Sequence, residues 1–277
     1  MKKYRKTVPF RIRMLIVFAA ALVLFAVSVV SLHAEGFRYT VCHRLDGTDI
    51  RFLGRVSRDG TPISGVIKFP DGTKISVDSK DGSYKYSNGS VYYGQLDEIF
   101  ERTGTGKLVL ANGDVYEGEF VGDRLYGKGK YTFANGDVYE GDFVRNVKHG
   151  SGKYVYADGE IYEGGFAEDE REGEGKMTRP DGSSYTGSYH LGLRHGKGRY
   201  EYANGDVYEG DFAEDMRHGT GVYVWADGER YEGEFAFNNI NGFGTYEWTD
   251  GRSSYTGYFK NGEIVIVDPS VSGEAEG

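Results

Sequence analysis

The sequence predicts an all-β protein: an elongated single-layer antiparallel sheet of tandem β-hairpin repeats, preceded by one N-terminal apolar helix. Three observations predict it. Glycine makes up 43 of 277 residues, yet proline occurs only five times. Aromatic residues are abundant, with 23 tyrosines and 16 phenylalanines. A Tyr-x-Gly signature returns at Tyr92, Tyr116, Tyr139, Tyr162, Tyr185, Tyr208, Tyr231 and Tyr255, always 23 or 24 residues apart. Such a period marks a stacked-repeat architecture.

High glycine without high proline and without a three-residue period excludes a collagen-like chain. The aromatic content supplies the buried area that disordered chains lack. Within the unit that starts at Tyr139, four glycines recur in every full copy: Gly141, Gly150, Gly152 and Gly159. Asp158-Gly159 reads as a two-residue hairpin turn in which both central residues take positive φ. Gly141, Gly150 and Gly152 read as slots in the strands over which a neighbouring ring lies flat. Each unit is therefore strand, turn, strand, turn. Four glycines cost roughly 2–4 kcal/mol per unit. The aromatics, at about 1.5–3 kcal/mol each when well buried, outweigh that. A lone hairpin is marginal, so the stability belongs to the array.

These residues resemble the MORN-repeat family (membrane occupation and recognition nexus). The resemblance is carried by YEGEF at 116–120, GKGKYTFANGDV at 127–138, HGSGKY at 149–154 and ANGDVYEGDF at 203–212, and it spans 82–259. It implies a twisted antiparallel sheet that acts as a binding or scaffolding surface. Junctophilins and plant phosphatidylinositol-phosphate kinases carry such repeats, and a membrane-binding role has been proposed for them.

The flanks depart from the repeat. Residues 1–34 read as a signal peptide or signal-anchor helix. Six bases precede Met14, and residues 14–32 are uncharged and almost wholly apolar. Whether the segment is cleaved stays open, but either outcome places the remainder outside the cytoplasm, in the periplasm, at the cell surface or secreted. Residues 35–81 read as degenerate short hairpins, 82–267 as the repeat sheet, and 268–277 as a disordered tail. Six of the 33 bases lie before Met14, which leaves 27 against 42 acids, a net charge of −15 for the rest. That excludes nucleic acid as a general partner.

No segment of the sequence reads as an enzyme. His149, His195 and His218 each hold the eleventh position of a unit, but adjacent units stand roughly 9.6 Å apart, too far to share a zinc ion. No cofactor or metal site is expected. The carboxylates sit at repeat positions, and GxG at 127–129 lacks the helix and Lys-Ser/Thr of a phosphate loop. The lone Cys42 has no disulfide partner.

Counting each unit from its Tyr, positions 1, 3, 5, 14, 16 and 18 share the aromatic face, and positions 2, 4, 13, 15 and 17 the other. The last two full units depart most. Their second face carries Glu209, Asp211, Glu232 and Glu234 with no base, and their aromatic face gains Trp225 and Trp248 beside Tyr208, Phe212, Tyr231 and Phe235. These ten residues are the candidate partner-binding set. The expected function is a non-catalytic extracytoplasmic scaffold for a protein partner, basic in character, with membrane attachment through the N-terminal segment if uncleaved. The alternative is a glycan- or cell-wall-binding module.

Overall fold

The computed structural model describes residues 36–43, 49–58, 60–78 and 80–266. The apolar segment 14–32 and the tail 268–277 lie outside them. Among the described residues every regular element is a β-strand, and no helix is long and apolar enough to cross a membrane. The chain forms two compact units, the first ending at Ala111 and the second starting at Asn112.

The first unit is a meander of β1 (Phe37–His43), β2 (Asp49–Val56), β3 (Pro62–Lys68), β4 (Lys74–Val77), β5 (Tyr84–Tyr86), β6 (Val91–Leu96) and β7 (Arg102–Val109). Each strand pairs antiparallel with the next. Its buried side chains mix the aliphatic Ile50, Ile67, Ile75, Val77 and Leu108 with the rings of Phe52, Tyr84, Tyr92 and Phe100. Phe100 in the β6–β7 turn adopts φ 62°, a region that bulky residues avoid. Its buried ring packs on Phe52 at 5.8 Å. Beside it, the Cys42 thiol donates to the Glu98 carbonyl at 3.4 Å.

The second unit continues the same logic over fourteen strands: β8 (Val115–Val121), β9 (Arg124–Thr132), β10 (Val138–Val144), β11 (Val147–Val155), β12 (Ile161–Ala167), β13 (Glu170–Thr178), β14 (Ser184–His190), β15 (Leu193–Glu201), β16 (Val207–Ala213), β17 (Met216–Val224), β18 (Arg230–Ala236), β19 (Asn239–Glu247), β20 (Tyr255–Lys260) and β21 (Glu263–Val265). One repeat is two strands. In the register, Gly118, Gly129, Gly141, Gly152 and their successors face one another directly, so every strand from β8 to β20 places a glycine in one line across the sheet.

That line exists because the first tyrosine of each unit lies on it. Tyr139 is fully buried, and a Cβ added at Gly141 or Gly152 would come within 2.5 Å of its ring or hydroxyl. The phenol reaches along its own strand and donates to the Asp142 carbonyl. Phe143 of the same unit and Phe166 of the next close edge-on against the ring at 5.1 and 5.0 Å. Tyr116, Tyr162, Tyr185, Tyr208 and Tyr231 repeat the arrangement, each fully buried. The slot expectation therefore holds for Gly141 and Gly152. It fails for Gly150, where an added Cβ would meet the Asp142 carboxylate instead of a ring. Gly150 takes φ 61° at a β-bulge, which is its requirement for glycine. The bulge leaves the Ser151 N–H to be capped by Asp142 Oδ2 at 3.0 Å.

The turns correct a second expectation. At Asp158-Gly159 only the glycine has positive φ, 93°. Tyr156 N donates to Glu160 O, and Gly159 N to Tyr156 O, closing a three-residue loop. The two-residue turns with both φ positive lie at the opposite edge: Gly122-Asp123, Arg145-Asn146, Glu168-Asp169, Leu191-Gly192, Glu214-Asp215, Phe237-Asn238 and Asn261-Gly262. Asn, Asp and Gly tolerate that conformation, which is why they fill the second place.

Candidate partner-binding face

The two faces of the second unit differ in chemistry. One carries a row of charges that alternates strand by strand: Glu117 faces Lys130, Lys130 faces Glu140, Glu140 faces Lys153, Lys153 faces Glu163, and Glu163 faces Lys176. Lys153 and Glu163 close to 2.6 Å, and beside them Lys128 and Asp142 to 2.7 Å. A shallow groove runs between these rows of side chains, lined farther along by Glu174, Lys197, Arg199, Glu209 and Glu232.

The last repeats are less bare of base than their own sequence reads. Lys197 reaches Asp211 at 2.7 Å and Arg199 reaches Glu209 at 3.8 Å, both from the preceding unit. Arg230 contacts Glu232 and, at 3.8 Å, Glu247. Glu234 accepts the Phe243 N–H, as Asp211 accepts the Thr220 N–H. The carboxylates of the candidate set are thus engaged in bulge caps and cross-strand pairs. Each strand has two neighbours, and reading within one hairpin had counted only one.

The other face carries the rings. Of the six aromatic candidates, Tyr208 and Tyr231 are fully buried, and Phe212 and Phe235 nearly so. They hold the sheet together and offer no contact surface. Trp225 and Trp248 are half-buried, and belong to a ladder in which Tyr223, Trp225, Tyr246 and Trp248 follow one another at 4.7, 5.2 and 5.0 Å. Arg252 lies over Trp248 at 4.6 Å. Tyr131, Phe133, Tyr154 and Tyr156 form the same ladder near the start of the unit.

Two further sets of residues shape this face and were not anticipated. Position 10 is basic in four successive units, as Lys148, Arg171, Arg194 and Arg217. Residues directly opposite in a ladder share a face, and Lys148 faces Phe143 while Arg217 faces Phe212. Each cation sits among rings: Arg194 lies 5.2–5.7 Å from Tyr185, Tyr200 and Phe212. The unbroken series of bases was the signal for it. The second set is a staple between turns. Asp137 accepts the Tyr154 hydroxyl at 2.7 Å and the Ala157 N–H at 2.8 Å. Asp114 does the same for Tyr131 and Ala134, and Asp206 for Tyr223 and Ala226. The Tyr154 hydrogen bond holds the Asp137 carboxyl below the usual carboxylate range. Where Met177 replaces the staple tyrosine, Arg179 takes over, pairing with Glu160 at 2.9 Å and donating to the Tyr200 hydroxyl. That accounts for an arginine where the other units place an aromatic ring.

The MORN repeat model matches this chain six times in succession, at 116–138, 139–161, 162–184, 185–207, 208–230 and 231–251. No curated protein matches the chain. Among solved structures, the TCP domain of Drosophila melanogaster SAS-4, in complex with a proline-rich motif of Ana2, is similar at 16% identity and a TM-score of 0.36, over 61% of this chain and 96% of that one. The TCP10 domain of Danio rerio CPAP is similar at 17% identity and 0.36, over 70% and 94%. At these scores neither says what this chain binds.

Proposed function

We propose, for a chain whose residues 116–251 are six consecutive MORN repeats, a non-catalytic scaffold held outside the cytoplasm that binds a protein partner across its ring face. The observation that carries this reading is the ladder of rings from Tyr200 through Trp248, half-buried apart from the buried Tyr223 and flanked by caged cations. Tyr, Trp and Arg are the residue types that dominate protein-binding hot spots. Residues 35–277 carry a net charge of −15, which favours a basic partner and speeds its encounter. The basic segment before Met14 and the apolar run 14–32 support export or anchoring.

The test is comparative capture. Wild-type chain and a Trp225→Ala/Trp248→Ala variant of equal melting temperature are incubated with envelope protein extract and with purified cell wall. Partners retained by wild type and lost by the variant support the scaffold. Pelleting with the wall in the absence of such partners supports the glycan-binding alternative, for which the two half-buried tryptophans speak. A periplasm-active reporter fused after Gly277 tests location, and activity from a cytoplasmic reporter alone would refute it.

A further inference from the structure

Around the last full repeat the ring face loses both a carboxylate and a base. In two earlier units the base at position 10 has a carboxylate on the following turn, Lys148 with Asp169 at 3.9 Å and Arg194 with Asp215 at 2.9 Å, whereas Arg171 meets Gly192 there and donates to its carbonyl at 2.6 Å. For Arg217 that place is taken by Asn238, whose side chain accepts the Arg217 backbone N–H and whose carbonyl accepts from the guanidinium, but which brings no charge. Arg217 makes no ion pair among the described residues, and its buried Nε has no hydrogen-bond partner there. One unit on, position 10 is Ile240 instead of a base, and the matching turn residue is Gly262. Gly262 has no side chain to accept the Ile240 N–H, the bond that Asn146 makes to Leu125 and Asn238 to Arg217. The shorter isoleucine leaves a hollow of about 200 Å³ lined by Arg217, Trp225, Asn238, Ile240, Asn261 and Gly262.

We propose that this hollow binds a carboxylate, and specifically the free carboxyl end of a peptide. A half-buried guanidinium without a direct ion pair is a place where an anion gains both a charge partner and hydrogen bonds. The lining supplies donors from Arg217 and Ile240, the flat amides of Asn238 and Asn261, which suit a peptide group, and the Trp225 ring for the terminal side chain. The volume suits one terminal residue. The choice of a peptide rests on the protein-partner reading above, whereas the carboxylate chemistry does not.

The purified full-length chain is titrated with N-acetyl-Ala-Ala bearing a free carboxylate, with the corresponding amide, and with glucuronate, by calorimetry and tryptophan fluorescence. The peptide acid is expected to bind at least about tenfold more tightly than the amide. Asn238→Asp gives Arg217 the partner that Arg194 already has. Ile240→Arg refills the hollow with the base of the earlier units. Each should weaken acid binding about tenfold or more with no fall in Tm. Absence of acid binding, equal binding of acid and amide, or undiminished binding in Asn238→Asp would overturn the site. Binding of glucuronate in place of the peptide acid would overturn the peptide assignment. Loss of partner capture in the tryptophan variant alongside intact acid binding in wild type would leave both readings standing. Acid binding without any captured partner would sink the scaffold reading alone.

Discussion

The Tyr139 hydroxyl donates to the carbonyl of Asp142, three residues along its own strand, at 3.0 Å. A side chain thus bonds the strand that bears it, across the glycine between them. The same bond joins Tyr116 to Glu119, Tyr162 to Gly165, Tyr185 to Ser188, Tyr208 to Asp211 and Tyr231 to Glu234. Each ring is thereby held flat on the sheet, and everything else on that face is stacked around it.

Gly152→Val should therefore be far more harmful than Lys153→Val. A Cβ at Gly152 falls 2.5 Å from the Tyr139 ring, and overpacking of this kind costs about 1–3 kcal/mol or more. Lys153 is exposed, and its replacement should stay near ~0.5 kcal/mol. Urea denaturation of the two variants measures the difference. Equal midpoints would mean that the ring can leave its slot freely.

Removing a staple should loosen two turns at once. Asp137→Ala strips the acceptor from the Tyr154 hydroxyl and the Ala157 N–H, for an expected loss of about 1–3 kcal/mol. Hydrogen exchange at Ala157 should rise in the variant. An unchanged exchange rate at that amide would show that the staple is not formed in solution.

Stability should also fall in acid. The Tyr154 hydroxyl lowers the Asp137 pKa, and the Lys128 ammonium lowers that of Asp142. A folded pKa below the unfolded value gives stability that is present above about pH 4 and lost as pH drops through the folded value. Melting temperature followed from pH 7 downward should decline first there, and less steeply in Asp137→Asn. A flat profile would count against these contacts.

Alkali should act on the rings. Burial pushes Tyr116 and Tyr231 up to about 12. The folded value lies above the unfolded one of about 10, so this contribution is complete below pH ~10 and disappears as pH rises through the folded value. Tyrosinate absorbance should appear in two stages, exposed rings first and the buried set together with unfolding. A single titration near the ordinary value with the sheet intact would contradict the burial.

Anionic vesicles offer a further check. Chain lacking residues 1–34 should not pellet with phosphatidylglycerol vesicles at physiological salt. Attraction needs clustered bases worth about 1 kcal/mol each. Here Lys128, Lys153 and Lys197 are paired with carboxylates, and the position-10 bases stand among rings. Strong pelleting in calcium-free buffer would show that ring contacts outweigh charge.

Period, strand faces and the slots at Gly141 and Gly152 were legible in the sequence because each rests on a local alternation. What was missed lies between units. Lys148 reads as one more surface base until the register sets it against Phe143. Asp137 and Tyr154 stand 17 residues apart and meet only because neighbouring turns stack. The Asp-Gly pair was assigned the wrong turn because its dipeptide fits both loop types, and the choice is made by how many residues the flanking strands leave unpaired. Of the candidate set, burial divides the tyrosines and phenylalanines from the tryptophans, a division that alternation alone does not make.

The staple also makes the array a ruler. Asp114 holds Tyr131 by the same bonds with which Asp137 holds Tyr154 and Asp206 holds Tyr223. A unit of this kind can be copied or excised without leaving any partner unmatched. Chain length then changes in steps of one repeat, and reach in steps of two strand spacings, about 9.6 Å. Two binding features placed on different units are held at a separation that gene duplication can lengthen or shorten by whole notches while the chemistry of each notch stays the same.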